Sequence, residues 1–348
     1  MLPCGVFNTR YGQEVAVVRT RLQWGVLLAA LAFLFTFPLY ASGYFVNLMN
    51  YIAISIIAVL GLQIVMGYCG QVSFGQAAFM AVGAFSSAIF SAKLGLPFWV
   101  AMPLAGLFTG LAGVVGGGPS LRVKGFYLAL ATLAIHFLVA WSVLRLGITG
   151  RTAGLHAPAP TLGGFDFDAD GRMYFIIMAM MVLMTLFAKN LARGRIGRAF
   201  VAIRDNDIAA GVMGINVFRY KLLAFFISAF YAGIAGSLLA HWLGVVLIDQ
   251  FSLFLAVWFV GAIIVGGPGS IVGVFFGVLF IRILDEVVFF ASPAISQAFP
   301  VLGAQVASAL SLSAFGLVLV IFLIFEPHGL AHRWTIFKAY YRLHPFSY

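Results

Sequence analysis

The sequence predicts an all-α, polytopic transmembrane helical bundle of about ten spans, and three observations carry that prediction. Hydrophobic residues make up 63% of the chain and charged residues only 9%, against about 25% charged in a soluble domain. Apolar runs of about 20 residues recur from end to end, each long enough to cross a bilayer as a helix. The runs do not alternate polar with apolar residues as barrel strands do, so each must satisfy its backbone within its own helix.

The chain opens on a basic segment, residues 1–23, with Arg10, Arg19 and Arg21, before an apolar run from Trp24 to Tyr40. Those arginines, the run and the small pair Ala41-Ser42 also fit a cleaved signal peptide. The run spans a membrane unaided and further spans follow at once, so it counts as the first helix. The others are Val46–Met66, Ser73–Ala92, Phe98–Val115, Gly125–Leu144, Met173–Ala188, Leu222–Leu243, Phe251–Val265, Ile271–Phe290 and Leu302–Phe325. With the N-terminus inside, fifteen of the twenty Lys and Arg residues fall on the cytoplasmic side. Four, Lys93, Arg145, Arg151 and Arg172, fall opposite, and Arg282 lies within a span. This positive-inside asymmetry puts both termini, including the tail 326–348, in the cytoplasm. It also accounts for the net charge of +10 without nucleic acid as a partner. Ten spans divide into two sets of five, and an odd set makes the second inverted relative to the first. Gly70-Gln71-Val72-Ser73-Phe74-Gly75 opens one span and Gly266-Gly267-Pro268-Gly269-Ser270 closes another. Such interruptions suit an inverted repeat with broken helices.

The longest water-compatible stretch between apolar runs is 189–221, which holds seven of the twenty basic residues. Its centre reads as a short helix. Asp205 and Asp207 stand near a helix start, Ala209 and Ala210 follow, and Gly211 and Gly214 permit close contact. A helix that docks on a cytoplasmic partner and an ordinary positive-inside loop both fit this chemistry.

Small residues spaced for close helix contact include Gly70, Gly75, Gly83, Gly233, Gly236, Gly269 and Gly273. Between Gly70 and Gly83, the amides and hydroxyl of Gln71, Ser73 and Gln76 fit either a polar path or plain packing. Gln63 and Asn50 are further path candidates. His136 and His241 are ionisable groups within spans, where such groups usually have a task, although a backbone carbonyl can satisfy a lone His. Arg282, Asp285 and Glu286 lie at i, i+3 and i+4 and can neutralise one another near the outer end of their helix. Asp166, Asp168 and Asp170 resemble the start of a calcium loop, but its last acidic ligand is missing, so the stretch reads as an exposed polar loop. It would also serve as part of a landing surface for an external partner.

Cys4 and Cys69 have neither a disulfide framework nor metal-ligand spacing, so no metal is expected. No HExxH, GxSxG or GxxxxGK[ST] occurs, so no catalytic residues are assigned and the chain binds no ATP through a phosphate loop. ATP-driven work would fall to a partner.

Four blocks resemble the permease subunits of bacterial branched-chain amino acid ABC importers, of the LivM type. They are GLQIVMGYCGQVSFGQAAFMAVGAF (61–85), LRVKGFYLALATLA (121–134), the 197–236 stretch ending SAFYAGIAGS, and VGGPGSIVGVFFG (265–277) with a late Pro327-His328-Gly329-Leu330. The resemblance implies a single permease domain in the bacterial inner membrane, forming half of a pore with a second, LivH-like permease. It further implies two ATPase subunits carrying ATP and Mg, and a periplasmic substrate-binding protein. The coupling helix that meets an ATPase carries over to Arg204, Asp205, Asp207, Ile208, Ala209, Ala210 and Gly214. Gln76 stands where many relatives carry His, Arg151 interrupts a usual Gly pair and Ala153 replaces a common Asn. Those departures bear on the solute: branched-chain or other hydrophobic amino acids, or urea, amides or aromatic acids. On residues alone, an ion-coupled secondary transporter would also use broken helices, though with more mid-span carboxylates. A membrane-embedded enzyme relying on His136 and His241 is a third class.

Overall fold

The computed structural model describes residues 21–120, 125–162, 165–166, 170–298 and 306–343. Cys4, Arg10, Arg19, Arg122, Lys124 and Asp168 therefore lie outside the described residues. The helices are α1 (Arg21–Thr36), α2 (Gly43–Leu62), α3 (Gln76–Ala92), α4 (Phe98–Ser120), α5 (Phe126–Arg145) and α6 (Asp170–Arg193). There follow α7 (Arg195–Asp205), α8 (Asp207–Val212), α9 (Val217–Leu243), α10 (Leu253–Gly266), α11 (Ile271–Ala298), α12 (Val306–Phe325) and α13 (Leu330–Leu343). Each of the ten apolar runs overlaps one of these helices, the first four residues of the last run lying outside the described residues. Six described helices are long and apolar enough to cross a membrane, and α12 with α13, bent by 47°, makes up to seven. α1 and α3 are shorter apolar helices, and α11, which runs on to Ala298, carries Arg282, Asp285 and Glu286 midway along its length and not near its end as expected.

Two helices form the centre. Within its most apolar window α2 is 83% buried and α9 is 72% buried, against 28% for α5. An all-round apolar helix can face lipid or protein, and these two face protein: α9 packs on α2, α3 and α4 while α2 also meets α6 and α11. Close approach rests on glycine. A Cβ on Gly83 would overlap the Gly233 backbone, and one on Gly236 would overlap the Met80 carbonyl. On its other side Gly233 faces α4, where a Cβ would stand 2.7 Å from Thr109 Oγ1. With little hydrophobic drive between helices in lipid, such contacts must be supplied by shape.

The run expected to begin at Ser73 becomes helical only at Gln76. α2 runs on into a looser π turn, Gln63–Tyr68. Gly70, with φ 71°, then leaves the helix, because only glycine enters that region without penalty. The irregular stretch to Gly75 is satisfied from neighbouring side chains: the Phe74 amide donates to Thr132 Oγ1 at 3.0 Å and the Gly75 amide to Ser73 Oγ at 3.3 Å.

At the far end of α9, β1 (Leu155–His156) pairs antiparallel with β4 (Val245–Val246). A second small ribbon joins β2 (Thr161–Leu162) to β3 (Phe165–Asp166). Lys93 Nζ donates to the Ile148 carbonyl at 2.7 Å, so the loop after α5 is fastened to the end of α3.

Candidate functional site

Two helix breaks and one helical elbow meet at the end of the bundle opposite β1 and β4. The first break is residues 70–75. The second is the turn between α10 and α11, where Gly267 and Gly269 have φ 107° and 82°. Gln63, in the π turn, joins them: its Nε2 donates to the carbonyls of Gly267 at 3.1 Å and Ser270 at 3.0 Å. A Cβ on Gly67 would stand 2.6 Å from the Gly269 nitrogen. The turn before α13 closes on the same point, since a Cβ on Gly267 would lie 2.6 Å from the His328 carbonyl.

The elbow is α7 followed by α8. Asp205 and Asp207 were expected near a helix start, and they flank one: Asp205 ends α7, Asp207 opens α8, and Asn206 between them does the capping. Asn206 is extended and its Oδ1 accepts from the amides of Ile208 at 3.1 Å and Ala209 at 3.0 Å. An Asn side chain satisfies free helix-start amides that an Asp in the preceding turn cannot reach. The 3.4 Å Asp207–Lys221 ion pair, with the lysine side chain only 7% exposed, holds α8 to the start of α9. Arg204 donates from Nε and Nη2 to Asp205 Oδ1, each at 3.1 Å, and from Nη1 to the Gly67 carbonyl at 3.0 Å. Ala210 is buried, whereas Ile208, Val212 and Met213 are 74%, 83% and 82% exposed. Asn206, Lys221, Val212 and Met213 were missed from the sequence. An Asn just before DIAA, and an apolar pair inside a basic loop, were the available signals. Gly211 and Gly214 have no neighbour within 4 Å of a notional Cβ, so Gly214 serves its turn and not a close contact.

The five polar candidates divide by what they bind. Gln76 is an internal staple: Nε2 donates to the Ala58 carbonyl at 2.7 Å, and Oε1 accepts from Ser228 Oγ at 2.9 Å, joining α2, α3 and α9. Gln63 braces the second break as described. Gln71 donates to the Cys69 carbonyl at 3.2 Å, and Ser73 sits inside the first break. Asn50 is fully buried with neither amide end partnered among the described residues. Replacing Gln76 with Ala should lower stability by about 1–3 kcal/mol, because Ser228 Oγ and the Ala58 carbonyl lose buried partners. A thermal melt of the detergent-solubilised protein checks it.

Other polar groups hold the frame. His241 is set by its neighbours, with Nδ1 2.7 Å from the Pro158 carbonyl and the other nitrogen 3.0 Å from Ser87 Oγ. This joins α9 to α3 and to the segment after β1. His136 is buried, and its Nδ1 has no partner among the described residues. The cluster on α11 reaches beyond its own helix. Arg282 pairs with Glu286 at 3.7 Å and lies over the Tyr51 ring at 4.4 Å. Asp285 accepts from Trp258 Nε1 at 3.0 Å, and Glu286 accepts from Tyr44. Asp166 lies in β3 and Asp170 begins α6. Among the described residues no group of His, Cys, Asp and Glu could hold a metal.

Fold and site together define a polytopic helical membrane protein whose two glycine-broken segments meet beneath a projecting apolar helix. Residues 44–325 match the family model described as branched-chain amino acid transport system / permease component. The chain belongs to that family. It is 36% identical over 245 residues to the high-affinity branched-chain amino acid transport system permease protein LivM of Salmonella typhimurium, covering 63% of this chain and 58% of that protein. Against LivM of Escherichia coli the identity is 34% over the same shares. The autoinducer 2 import system permease protein LsrC of an Enterobacter species is 32% identical over 41% of this chain and 38% of its own length. The match thus spans less than two thirds of the length of these relatives. No solved structure matches.

Proposed function

We propose that this chain is the transmembrane permease subunit of an ATP-driven importer for branched-chain or other hydrophobic amino acids, the solutes named for its LivM relatives. It sits in a bacterial inner membrane with both termini cytoplasmic. Its partners are a second, LivH-like permease, two ATPase subunits that hold ATP and Mg, and a periplasmic substrate-binding protein.

The observation that carries this reading is the exposed apolar face of α8, held rigidly by the Asn206 cap and the Asp207–Lys221 pair. Bare apolar side chains at the tip of a well-anchored elbow call for a protein partner. Coupling is assigned to Ile208 with Val212 and Met213 as the contact face, and to Asp207, Ala209, Ala210 and Gly214 as its frame. ATPase closure moves the elbow as a lever and alternates access to the path. The path is assigned to Gln71 and Ser73 in the first break and to Asn50 above it, with Gln63 and Gln76 bracing the walls.

The test is reconstitution. The chain, purified with its four partner subunits in proteoliposomes, should take up leucine, isoleucine or valine only with ATP and loaded binding protein. Uptake driven by an ion gradient without ATP would refute the reading. Uptake of urea, an amide or an aromatic acid in their place would keep the ATP-driven mechanism and reassign the solute.

A further inference from the structure

Arg204 was grouped with the residues that face the ATPase, yet its side chain runs the other way. A Cβ on Gly70 would stand 2.8 Å from Arg204 Cγ, and one on Gly269 would stand 3.0 Å from Nη1. The stem thus lies along the first break, and the guanidinium ends between the Gly67 carbonyl and the second break. Asp205 takes Nε and Nη2, which fixes the plane and leaves Nη1 aimed at Gly67. A planar fork held on one side transmits direction as well as charge.

We propose that Arg204 is the positioning residue that ties the α7–α8 lever to both helix breaks, so that a displacement of the lever is delivered to the Gly67–Gly269 junction. This deepens the reading above and rests on it.

The experiment uses the assembled importer with Arg204→Met, which keeps the stem, and Arg204→Lys, which keeps the charge and one donor. Buried Cys69, between Gly67 and Gly70, is the reporter: its alkylation by a maleimide is followed in a Cys4→Ser background. In the parent complex, alkylation should change at least threefold on ATP binding, and a parent Cys69 that does not respond to nucleotide would overturn the tie. In R204M the ATPase subunits should still co-purify, but that change should vanish and uptake should fall at least tenfold, with partial recovery in R204K. Wild-type uptake by R204M, or an undiminished nucleotide response of Cys69, would overturn the tie. Loss of ATPase subunits from R204M alone would also overturn it, making Arg204 a docking residue. Failure of the parent chain itself to assemble with ATPases would refute the function proposed above.

Discussion

The double substitution Ile208→Asp with Val212→Asp should abolish co-purification of ATPase subunits while the permease still folds. Both side chains are mostly exposed, so the isolated chain loses little packing when they change. In the assembled importer each would be buried, at about 1.5–3 kcal/mol for a large aliphatic side chain. Two such losses, with carboxylates placed where apolar contacts were, weaken association by at least about a hundredfold. The measurement is pull-down of the ATPase subunits, beside size-exclusion chromatography of the permease alone. A variant that still captures the ATPases at parental yield would show that this face docks nothing. The Asp207–Lys221 pair is a useful contrast, because cutting it should loosen the elbow without changing the contact face.

The second large effect is expected inside the bundle. Gly236→Val and Gly83→Leu should each prevent recovery of folded protein, since their Cβ atoms would overlap backbone, which cannot rotate away. Ordinary overpacking costs about 1–3 kcal/mol. Here whole helices must separate, so the loss should exceed that range. Gly25→Ala and Gly316→Ala are the controls. Neither has a neighbour within 4 Å of a notional Cβ, and Ala gains up to about 1 kcal/mol in helix propensity. Fluorescence-detected chromatography and thermal melts distinguish these outcomes. Equal behaviour of the two pairs would mean that the glycine contacts do not set the spacing of α3, α4 and α9.

The helices were legible because hydropathy needs no knowledge of neighbours. Runs such as Phe98–Val115 and Leu222–Leu243 are apolar on every side, and α4 and α9 occupy them. The breaks were legible as glycine clusters, but their meeting was not. Nothing local to Gly67 or Gly269 announces that their backbones touch, two hundred residues apart in sequence. The start of α3 was misplaced because Ser73 and Phe74 read as ordinary span residues, whereas the positive φ at Gly70 sends the chain out of helix before them. The elbow was recognised by charge and by resemblance, but the residue that caps it, Asn206, was not singled out. Asp and Asn are near-equal helix starters, and only the fold decides which stands at the junction of α7 and α8. Arg282, Asp285 and Glu286 were read as one self-contained face, but Trp258 and Tyr44 approach from other helices and share them.

The meeting of Gly83 with Gly233 has a genetic consequence. Both partners already carry the smallest side chain available, so neither can shrink to accommodate a larger residue in the other. Suppressors of a bulky mutation at Gly83 cannot arise at Gly233, and the two positions cannot drift together through compensated pairs. Relief has to come from a third wall, Thr109 on α4, which presses on Gly233 from the opposite side. A selection for restored growth in a Gly83→Ala strain should therefore return changes at Thr109 to Ser, Ala or Gly.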